Sequence, residues 1–271
     1  MSAPTLVSAD WLALRARADD LARPTRLAEA VARRLGPGRL VVHDLGSGTG
    51  AMMRWLAPLL PGPQAWVLHD ADPAILSHVD PRSTRDGHGL PVTVLTRVEQ
   101  LADLPIGAFA GASLVTASAL LDVLTVHDAR AVVDACVASG APALFSLTVS
   151  GRVRLTPPDA DDPDIGSAFN DHQRRDAGGR RLLGPDAVRL IRRLFVDAGW
   201  RVSTRRTPWR LAAGDGALIA EWLDGWIGAA VEQRPELLGR AAEYRRRRTD
   251  ALARGRLRVV VQHQDVLAWP R

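Results

Sequence analysis

The sequence Leu-Val-Val-His-Asp-Leu-Gly-Ser-Gly-Thr-Gly at residues 40–50 decides the fold. An apolar run that stops at Asp44 and leads into three alternating glycines predicts a strand, a tight turn and then a helix. Such a turn brings backbone N–H groups close to a ligand, because no Cβ stands in the way. The sequence therefore predicts a binding site for a small polar molecule at the end of this strand.

A second predicted strand, at residues 65–68, leads to a carboxylate that suits the same ligand. It ends in His69-Asp70, twenty residues after Gly50. A carboxylate in that position can accept hydrogen bonds from the hydroxyls of a ribose. The glycine turn and Asp70 together favour a ligand that contains adenosine.

Two classes of cofactor satisfy this pattern. Gly46, Gly48 and Ala51 match the relaxed dinucleotide spacing G-x-G-x-x-G/A, which permits a nicotinamide-dependent oxidoreductase. The pyrophosphate of a dinucleotide would face Asp44, and like charges about 4 Å apart repel by roughly 1 kcal/mol in water and ~4 kcal/mol at a dielectric of 20. S-adenosylmethionine (SAM) instead carries an ammonium and a sulfonium, which a carboxylate attracts. Asp44 therefore favours SAM, and the oxidoreductase remains the alternative.

Residues 44–50 resemble the first motif of the class I SAM-dependent methyltransferases, and residues 69–73 resemble their second, acid-ended strand. The resemblance covers residues 40–150, and residues 151–271 also resemble a group of bacterial methyltransferases. It implies that Asp44 faces the amino group of the donor and that Asp70 holds the ribose. The other cofactor positions that it implies are Gly46, Ser47, Gly48 and Gly50 in the turn, Ala71 beside Asp70, Arg97 and Val98 where the family often has an acid after the third strand, and Thr116 and Ser118 after the fourth.

Strands alternate with helices through the first half of the chain, which is typical of a parallel sheet covered on both faces. We predict a single α/β domain over residues 1–271, with a doubly wound, mostly parallel, seven-stranded Rossmann-like sheet. Residues 1–37 form an N-terminal helical cap, 38–150 the cofactor-binding half and 151–271 the acceptor-side half. The predicted helices lie in residues 9–35 (two), 51–60, 73–79, 129–139, 186–198, 218–232 and 236–253, and the remaining strands at 92–95, 113–116, 143–149, and at 201–205 with 256–262 as a final hairpin.

Residues 151–184 interrupt this alternation. They are rich in Pro, Asp, Arg and Gly and far exceed the ~4–6 residues of an ordinary connection. We expect an irregular insertion that forms part of the acceptor site. His172 is the candidate general base, because a pKa near ~6.5 suits proton removal from an alcohol or phenol, and Asp122 is the alternative base. The expected contacts to the acceptor are Asn170, Arg174 and Arg175, and the two arginines suit an anionic acceptor.

The cap supplies candidate ligands for the carboxylate of the donor. Arginine recognises a carboxylate through paired donors, and a glycine turn supplies few full charges. We expect the N-terminal helices to close over bound SAM, with Arg15 or Arg23 reaching its carboxylate.

Charge and composition limit the partners. The formal net charge is +5, all 35 basic residues are arginine, and residues 1–150 are net −2 whereas residues 151–271 are net +7. The run Arg245–Arg248 lies on a predicted helix and points all around it, so we expect a small-molecule acceptor and no specific nucleic acid. A non-catalytic SAM- or RNA-binding module is the second alternative, and the sequence leaves the oligomeric state open.

The single cysteine, Cys136, and the first ten residues, which lack a signal pattern, favour the reducing cytoplasm. No apolar run approaches 18 residues, so we expect no membrane span. Cysteine and histidine pairs with ligand spacing are also missing from the sequence, so we expect no metal site.

Overall fold

The computed structural model describes residues 7–36 and 38–271, so residues 1–6 and 37 of the predicted cap lie outside the described residues. The described strands are β1 (Leu40–Leu45), β2 (Gln64–Asp70), β3 (Thr93–Val98), β4 (Leu114–Ser118), β5 (Ala143–Thr156), β6 (Arg201–Arg206), β7 (Trp209–Leu211) and β8 (Arg258–Trp269). They form one sheet in the order β3-β2-β1-β4-β5-β8-β6, and β7 also pairs with β8. Strands β1 to β5 are parallel, and β8 runs antiparallel to β5, β6 and β7. The doubly wound, mostly parallel fold class is confirmed, with one short strand more than the seven predicted.

Local sequence signals set the ends of the helices. Pro24 separates the first two helices, and Gly50, with φ +81°, precedes the third. Thr125 and Asp128 form a capping box, and Gly140, with φ +70°, ends the same helix. The helices are α1 (Ala9–Ala22), α2 (Thr25–Ala32), α3 (Ala51–Leu56), α4 (Pro73–Leu76), α5 (Val126–Ser139), α6 (Asp162–Gln173), α7 (Ala187–Asp197), α8 (Gly216–Gln233) and α9 (Leu238–Ala253).

Three apolar cores hold these elements together. Neighbouring residues of one strand enter different cores, because side chains alternate across a sheet. Leu144 packs in the core that includes residues of α2 and α3, whereas Phe145 packs in the core of α5 and α7 on the other face. The third core joins α1 to α6, α8 and α9 and to strands β7 and β8. This third core brings the N-terminal cap and the C-terminal half of the chain together.

The expectation of an irregular insertion at residues 151–184 is wrong. Strand β5 continues to Thr156 and pairs with β8 as far as Thr156 opposite Arg258. Helix α6 then fills residues 162–173, although its only fully buried side chains are Ile165 and Ala168. With so few buried side chains, the helix shows little apolar periodicity in the sequence. Its stability comes mainly from packing rather than from local propensity.

One strand of the C-terminal half was not predicted. Strands β6 and β8 are antiparallel neighbours, as expected of the predicted pair, and α8 and α9 lie between them in sequence as predicted, but β7 lies there too. The prediction missed β7 because it contains three residues, too few to show a period of two.

Candidate functional site

The glycine turn lies between the carboxyl ends of β1 and β4. Because β1 has neighbours on both sides that follow it in sequence, this is the topological switch point, where open α/β sheets bind ligands. Gly46, Gly48 and Gly50 have φ values of +55°, +54° and +81°, a region that side chains with a Cβ rarely adopt. A Cβ on Gly46 would lie 2.6 Å from Leu120 Cδ1. The turn therefore requires glycine for both its conformation and its close packing.

Asp44, at the end of β1, is fully buried beneath this turn. Its Oδ1 accepts a hydrogen bond of 2.7 Å from Thr116 Oγ1 on β4. Its Oδ2 is buried and has no hydrogen-bond partner among the described residues. Burial raises the pKa of Asp44 to about 7, although the Thr116 hydrogen bond and the charge of Arg23 act in the opposite direction. A buried carboxylate oxygen without a partner suits a cationic ligand.

Asp70, at the end of β2, organises the turn. Its carboxylate accepts hydrogen bonds from the backbone N–H of Gly48 at 2.8 Å and of Asp72 at 3.1 Å. Val98 lies opposite Asp70 in the register of β2 and β3. Arg97 and Val98 at the end of β3 are exposed, and so is Ala71, which follows Asp70. These residues border an accessible edge next to the carboxylate.

An acid follows the third strand one residue beyond Val98. It is Glu99, whose carboxylate contacts Nδ1 of the buried His69. Burial lowers the pKa of His69, and the contact with Glu99 opposes this shift. Glu99 therefore already has a partner inside the protein.

The cap covers the glycine turn. A Cβ on Gly48 would lie 3.0 Å from Leu12 Cδ1 of α1. Arg23, at the end of α1, is buried and donates hydrogen bonds of 2.8 Å to Ser118 Oγ and to Asp20 Oδ1. Its Nε is buried too, and no described residue accepts from it. Of the two arginines predicted to reach the donor, Arg23 is the one beside the turn.

Arg15 has a different environment. It forms a bidentate pair with Asp19, at 2.9 and 3.1 Å, and its guanidinium lies 4.9 Å from the ring centre of Trp209. It lines a cavity of about 160 Å³, here called the aromatic cavity, between α1, α6, α8 and the sheet. The aromatic side chains of this cavity are Trp11, Phe169, Trp209, Trp222 and Trp226, and its polar side chains include Asp122, Asn170, Arg152, Gln173 and His263.

Two strained residues connect the aromatic cavity to the switch point. Ala119 follows β4 and Leu147 lies within β5, and their φ values are +52° and +55°. Conformations of this kind cost on the order of 1–3 kcal/mol each for residues other than glycine. The N–H of Leu147 donates to Asp265 Oδ1 at 2.8 Å, and both strained residues line the cavity. The strain is located where the donor and acceptor sites would meet.

The structure brings only some of the predicted acceptor residues into the cavity. Asn170 lines it and donates to the Gly151 carbonyl at 2.8 Å. Asp122 lines it too, and burial raises the pKa of this carboxyl while Arg15 opposes the shift. Both candidates are therefore placed to meet a ligand.

The expected grouping of His172, Arg174 and Arg175 around the acceptor is not what the structure shows. His172 contacts Glu232 and Arg175, each at 3.2 Å, and Arg174 donates to Asp186 at 2.7 Å. The cavity-lining positions of α6 are 166, 169, 170 and 173, the i, i+3, i+4, i+7 spacing of one helix face. Because residues 151–184 were expected to be irregular, this face could not be identified from the sequence.

Sequence analysis also missed His263 and Gln173. His263 lies on β8 with its ring centre 5.2 Å from that of Trp209. Burial lowers its pKa to about 4, and nearby Arg15 acts in the same direction, so the imidazole is neutral near pH 7. Alternation along β8 is the one sequence signal for His263, and it predicts burial rather than a role.

The arginine run is compensated within the fold. Arg245 pairs with Asp224, Arg246 with Glu243, and Arg248 with Asp162. Arg247 donates to Asp159 and Asp161 at 2.7 to 2.9 Å. These pairs leave the run little free positive charge for phosphates.

Two further properties concern only the part of the chain that the structure describes. No group of three or more His, Cys, Asp or Glu side chains there has an arrangement that could hold a metal ion. No described helix is both long enough and apolar enough to cross a membrane.

Among known proteins, only solved structures are similar to this chain. No protein-family model matches the sequence, and no curated protein matches it. The YcgJ protein from Bacillus subtilis is similar with a TM-score of 0.50 and 12% identity, over 90% of this chain and 97% of that chain. The cyclopropane synthase MmaA2 from Mycobacterium tuberculosis gives 0.48 and 14%, over 97% and 94% of the two chains. A geranyl diphosphate methyltransferase in complex with SAM gives 0.43 and 12%, over 91% and 85%. The chain therefore has the Rossmann-like fold that its resemblance to the class I SAM-dependent methyltransferases implies.

Proposed function

We propose that this protein transfers a methyl group from SAM to a small molecule bound in the aromatic cavity. The observation that carries the proposal is the buried Asp44 Oδ2, which has no partner among the described residues, with the buried Arg23 beside it. The methionine part of SAM carries an ammonium and a carboxylate on one carbon. Asp44 and Arg23 supply the complementary acceptor and donor, so the residues present fit this group.

Each residue at the switch point has a distinct task in the proposal. Asp44, held by Thr116, accepts from the ammonium, and Arg23, held by Ser118, donates to the carboxylate. Asp70 accepts from the ribose hydroxyls, and its bond to the Gly48 N–H fixes the conformation of the turn. SAM supplies a methyl group made electrophilic by the sulfonium.

The aromatic cavity accounts for the other half of the reaction. Ala119 lines it directly after β4 and next to Ser118, one of the cofactor positions that the resemblance implies. Methyl transfer needs an acceptor aligned with the sulfonium, so positioning supplies most of the rate. Asp122 faces the same space and can accept a proton from the acceptor; its buried carboxyl has a raised pKa, closer to the working pH.

The alternatives fit the site less well. A dinucleotide would place a pyrophosphate against Asp44, whose buried carboxylate repels it. A nucleic-acid partner would need free cations, whereas residues 245–248 are paired with carboxylates. A SAM-binding module without catalysis would have no use for a strained, aromatic cavity beside the donor turn.

Calorimetry tests the donor. SAM and S-adenosylhomocysteine are expected to bind with micromolar affinity, and NAD is not. Asp44→Asn should weaken SAM binding by ~1.5–3 kcal/mol, the range for a hydrogen bond to a charged group. Asp80→Asn is the matched control, because Asp80 is exposed and pairs with Arg82 far from the turn. Tight binding of NAD without binding of SAM would contradict the proposal.

Transfer of label tests the acceptor. Methyl-labelled SAM is incubated with the protein and either a small-metabolite extract or total RNA. Label is expected in the metabolite fraction. Incorporation into RNA alone would show that the acceptor is a nucleic acid.

A further inference from the structure

We propose that the aromatic cavity binds a planar, uncharged, single-ring compound bearing a hydroxyl or N–H group, held by Gln173, Trp226 and His263. The inference deepens the proposed function by naming the acceptor class. It rests on that function only in calling the compound a methyl acceptor, because binding in the cavity does not require the donor.

The walls of the cavity select for shape. Four of the eight tryptophans in the chain line it, and they come from α1, β7 and α8, while α6 contributes Phe169. The rings of Trp222 and Trp226 are stacked, with centres 5.1 Å apart and an angle of 20° between their planes. Flat apolar walls of this kind favour a flat apolar ligand, because the contact between two aromatic rings stabilises a complex by more than the burial of their apolar area alone.

The volume of the cavity selects for size. It measures about 160 Å³. An apolar protein cavity of about 150 Å³ accommodates benzene. One aromatic ring with a small substituent therefore fits inside the walls.

Three buried polar atoms select for a hydrogen-bonding group on that ring. Gln173 Oε1, Trp226 Nε1 and His263 Nδ1 are all buried, and the described residues offer none of them a hydrogen-bond partner. All three side chains line the cavity. The indole N–H can only donate and the amide oxygen can only accept, and a hydroxyl can do both. Buried polar groups without partners are costly, so a ligand that satisfies them gains affinity.

Charge excludes an anionic ring. Arg15 is neutralised by its bidentate pair with Asp19, and the neutral His263 adds no positive charge. Arg152 also lines the cavity, but it is exposed to solvent at the rim. Asp122 faces the interior and repels an anion. The expectation of an anionic acceptor rested on Arg174 and Arg175, which do not line this space.

Ligand-observed NMR titrations with four probes test the proposal on the full chain. Phenol has the proposed features, toluene lacks the hydroxyl, cyclohexanol lacks the flat ring, and benzoate adds a negative charge. Each titration is done with and without S-adenosylhomocysteine. Phenol is expected to bind at least about threefold more tightly than each of the other probes, the gain from one satisfied hydrogen bond.

Variants assign the binding to the cavity. Trp226→Phe keeps a ring and removes the N–H, so it should weaken phenol about three- to tenfold and leave toluene nearly unchanged. Gln173→Met removes the amide oxygen at a less buried position of α6, and it should likewise weaken phenol and leave toluene nearly unchanged. Trp200→Phe is the control, because Trp200 is a buried tryptophan that packs on Phe195 in another core.

Several results would overturn the inference. Benzoate binding more tightly than phenol would assign the cavity to an anion, and equal affinities for phenol and toluene would show that water satisfies the three atoms. No saturable binding of any probe, or binding that survives both cavity variants, would place the acceptor elsewhere. SAM binding without probe binding would refute this inference alone, whereas probe binding without SAM binding would refute only the proposed methyl transfer.

Discussion

The substitution Asp44→Asn should stabilise the unliganded protein at pH 8 while it weakens donor binding. Burial raises the pKa of Asp44 from its usual 3.8 to about 7. Unfolding lets this carboxyl ionise freely, so the folded state becomes relatively less stable as the pH rises from about 4 to 7. A shift of about 3 units at ~1.36 kcal/mol per unit gives a cost of about 4 kcal/mol above pH 7.

Asparagine removes this cost without changing the shape of the side chain. Its Oδ1 can still accept from Thr116 Oγ1, as that of Asp44 does. Its amide N–H₂ takes the place of Oδ2, which no described residue contacts, and a buried donor without a partner costs about 1–3 kcal/mol. The net stabilisation expected at pH 8 is therefore about 1–3 kcal/mol.

Comparing two pH values isolates the carboxyl, because the unsatisfied amide does not titrate. At pH 5 the cost in the wild-type protein is only about 2 kcal/mol, so the gain on substitution should fall by roughly 2 kcal/mol between pH 8 and pH 5. Urea unfolding of both proteins at each pH, without donor, measures this difference. Asp80→Asn again serves as the exposed control. A gain that is the same at both pH values within about 0.5 kcal/mol, the spread of surface substitutions, would refute the reasoning.

Four further outcomes follow from the same geometry. The affinity for SAM should fall about tenfold per pH unit below pH 7 as Asp44 protonates, and calorimetry should find this dependence gone in Asp44→Asn. Asp70→Asn should weaken SAM by about three- to tenfold because an amide accepts only at its oxygen, and it should also lower the urea midpoint, because each oxygen of Asp70 accepts from a backbone N–H; a loss of stability with unchanged affinity would make Asp70 purely structural. Arg23→Gln should weaken SAM by at least about tenfold whereas the exposed Arg17→Gln should not, so equal affinities in calorimetry would remove Arg23 from the site. His172→Ala should retain methyl transfer from labelled SAM, because His172 lies outside the aromatic cavity, and loss of activity in a folded variant would restore it as the base.

The residues of the proposed donor site could be identified from the sequence because their signals are local. The glycine turn, the strand before it and Asp70 lie within 31 residues, and an apolar run followed by three alternating glycines is a short-range pattern that predicts a tight turn. His43 and His69 lie in the two strands that lead to Asp44 and Asp70, and both are buried, with Nδ1 of His43 2.9 Å from Nε2 of His69.

The acceptor half could not be predicted because long-range contacts build it. Trp209 Nε1 donates to Asp19 Oδ1 at 2.9 Å across 190 positions of sequence. Strand β7 is three residues long and is held by pairing with β8. Helix α6 is stabilised by packing against other elements rather than by local helix propensity. His263 alternates along β8 like any buried strand residue, so its role depends on Trp209 and Arg15, which reach it from other elements.

The costly features of this fold coincide at one edge of the sheet. Ala119 and Leu147 hold backbone conformations that glycine would adopt without strain, and Asp44 stays buried although asparagine would cost less above pH 7. Each cost is small against the burial in three apolar cores, but selection for stability alone would scatter such features rather than gather them. They meet at the carboxyl ends of β1 and β4 and beside them in β5, where the switch point already favours a ligand. Their position, more than any single residue, distinguishes a binding site from an imperfectly packed interior.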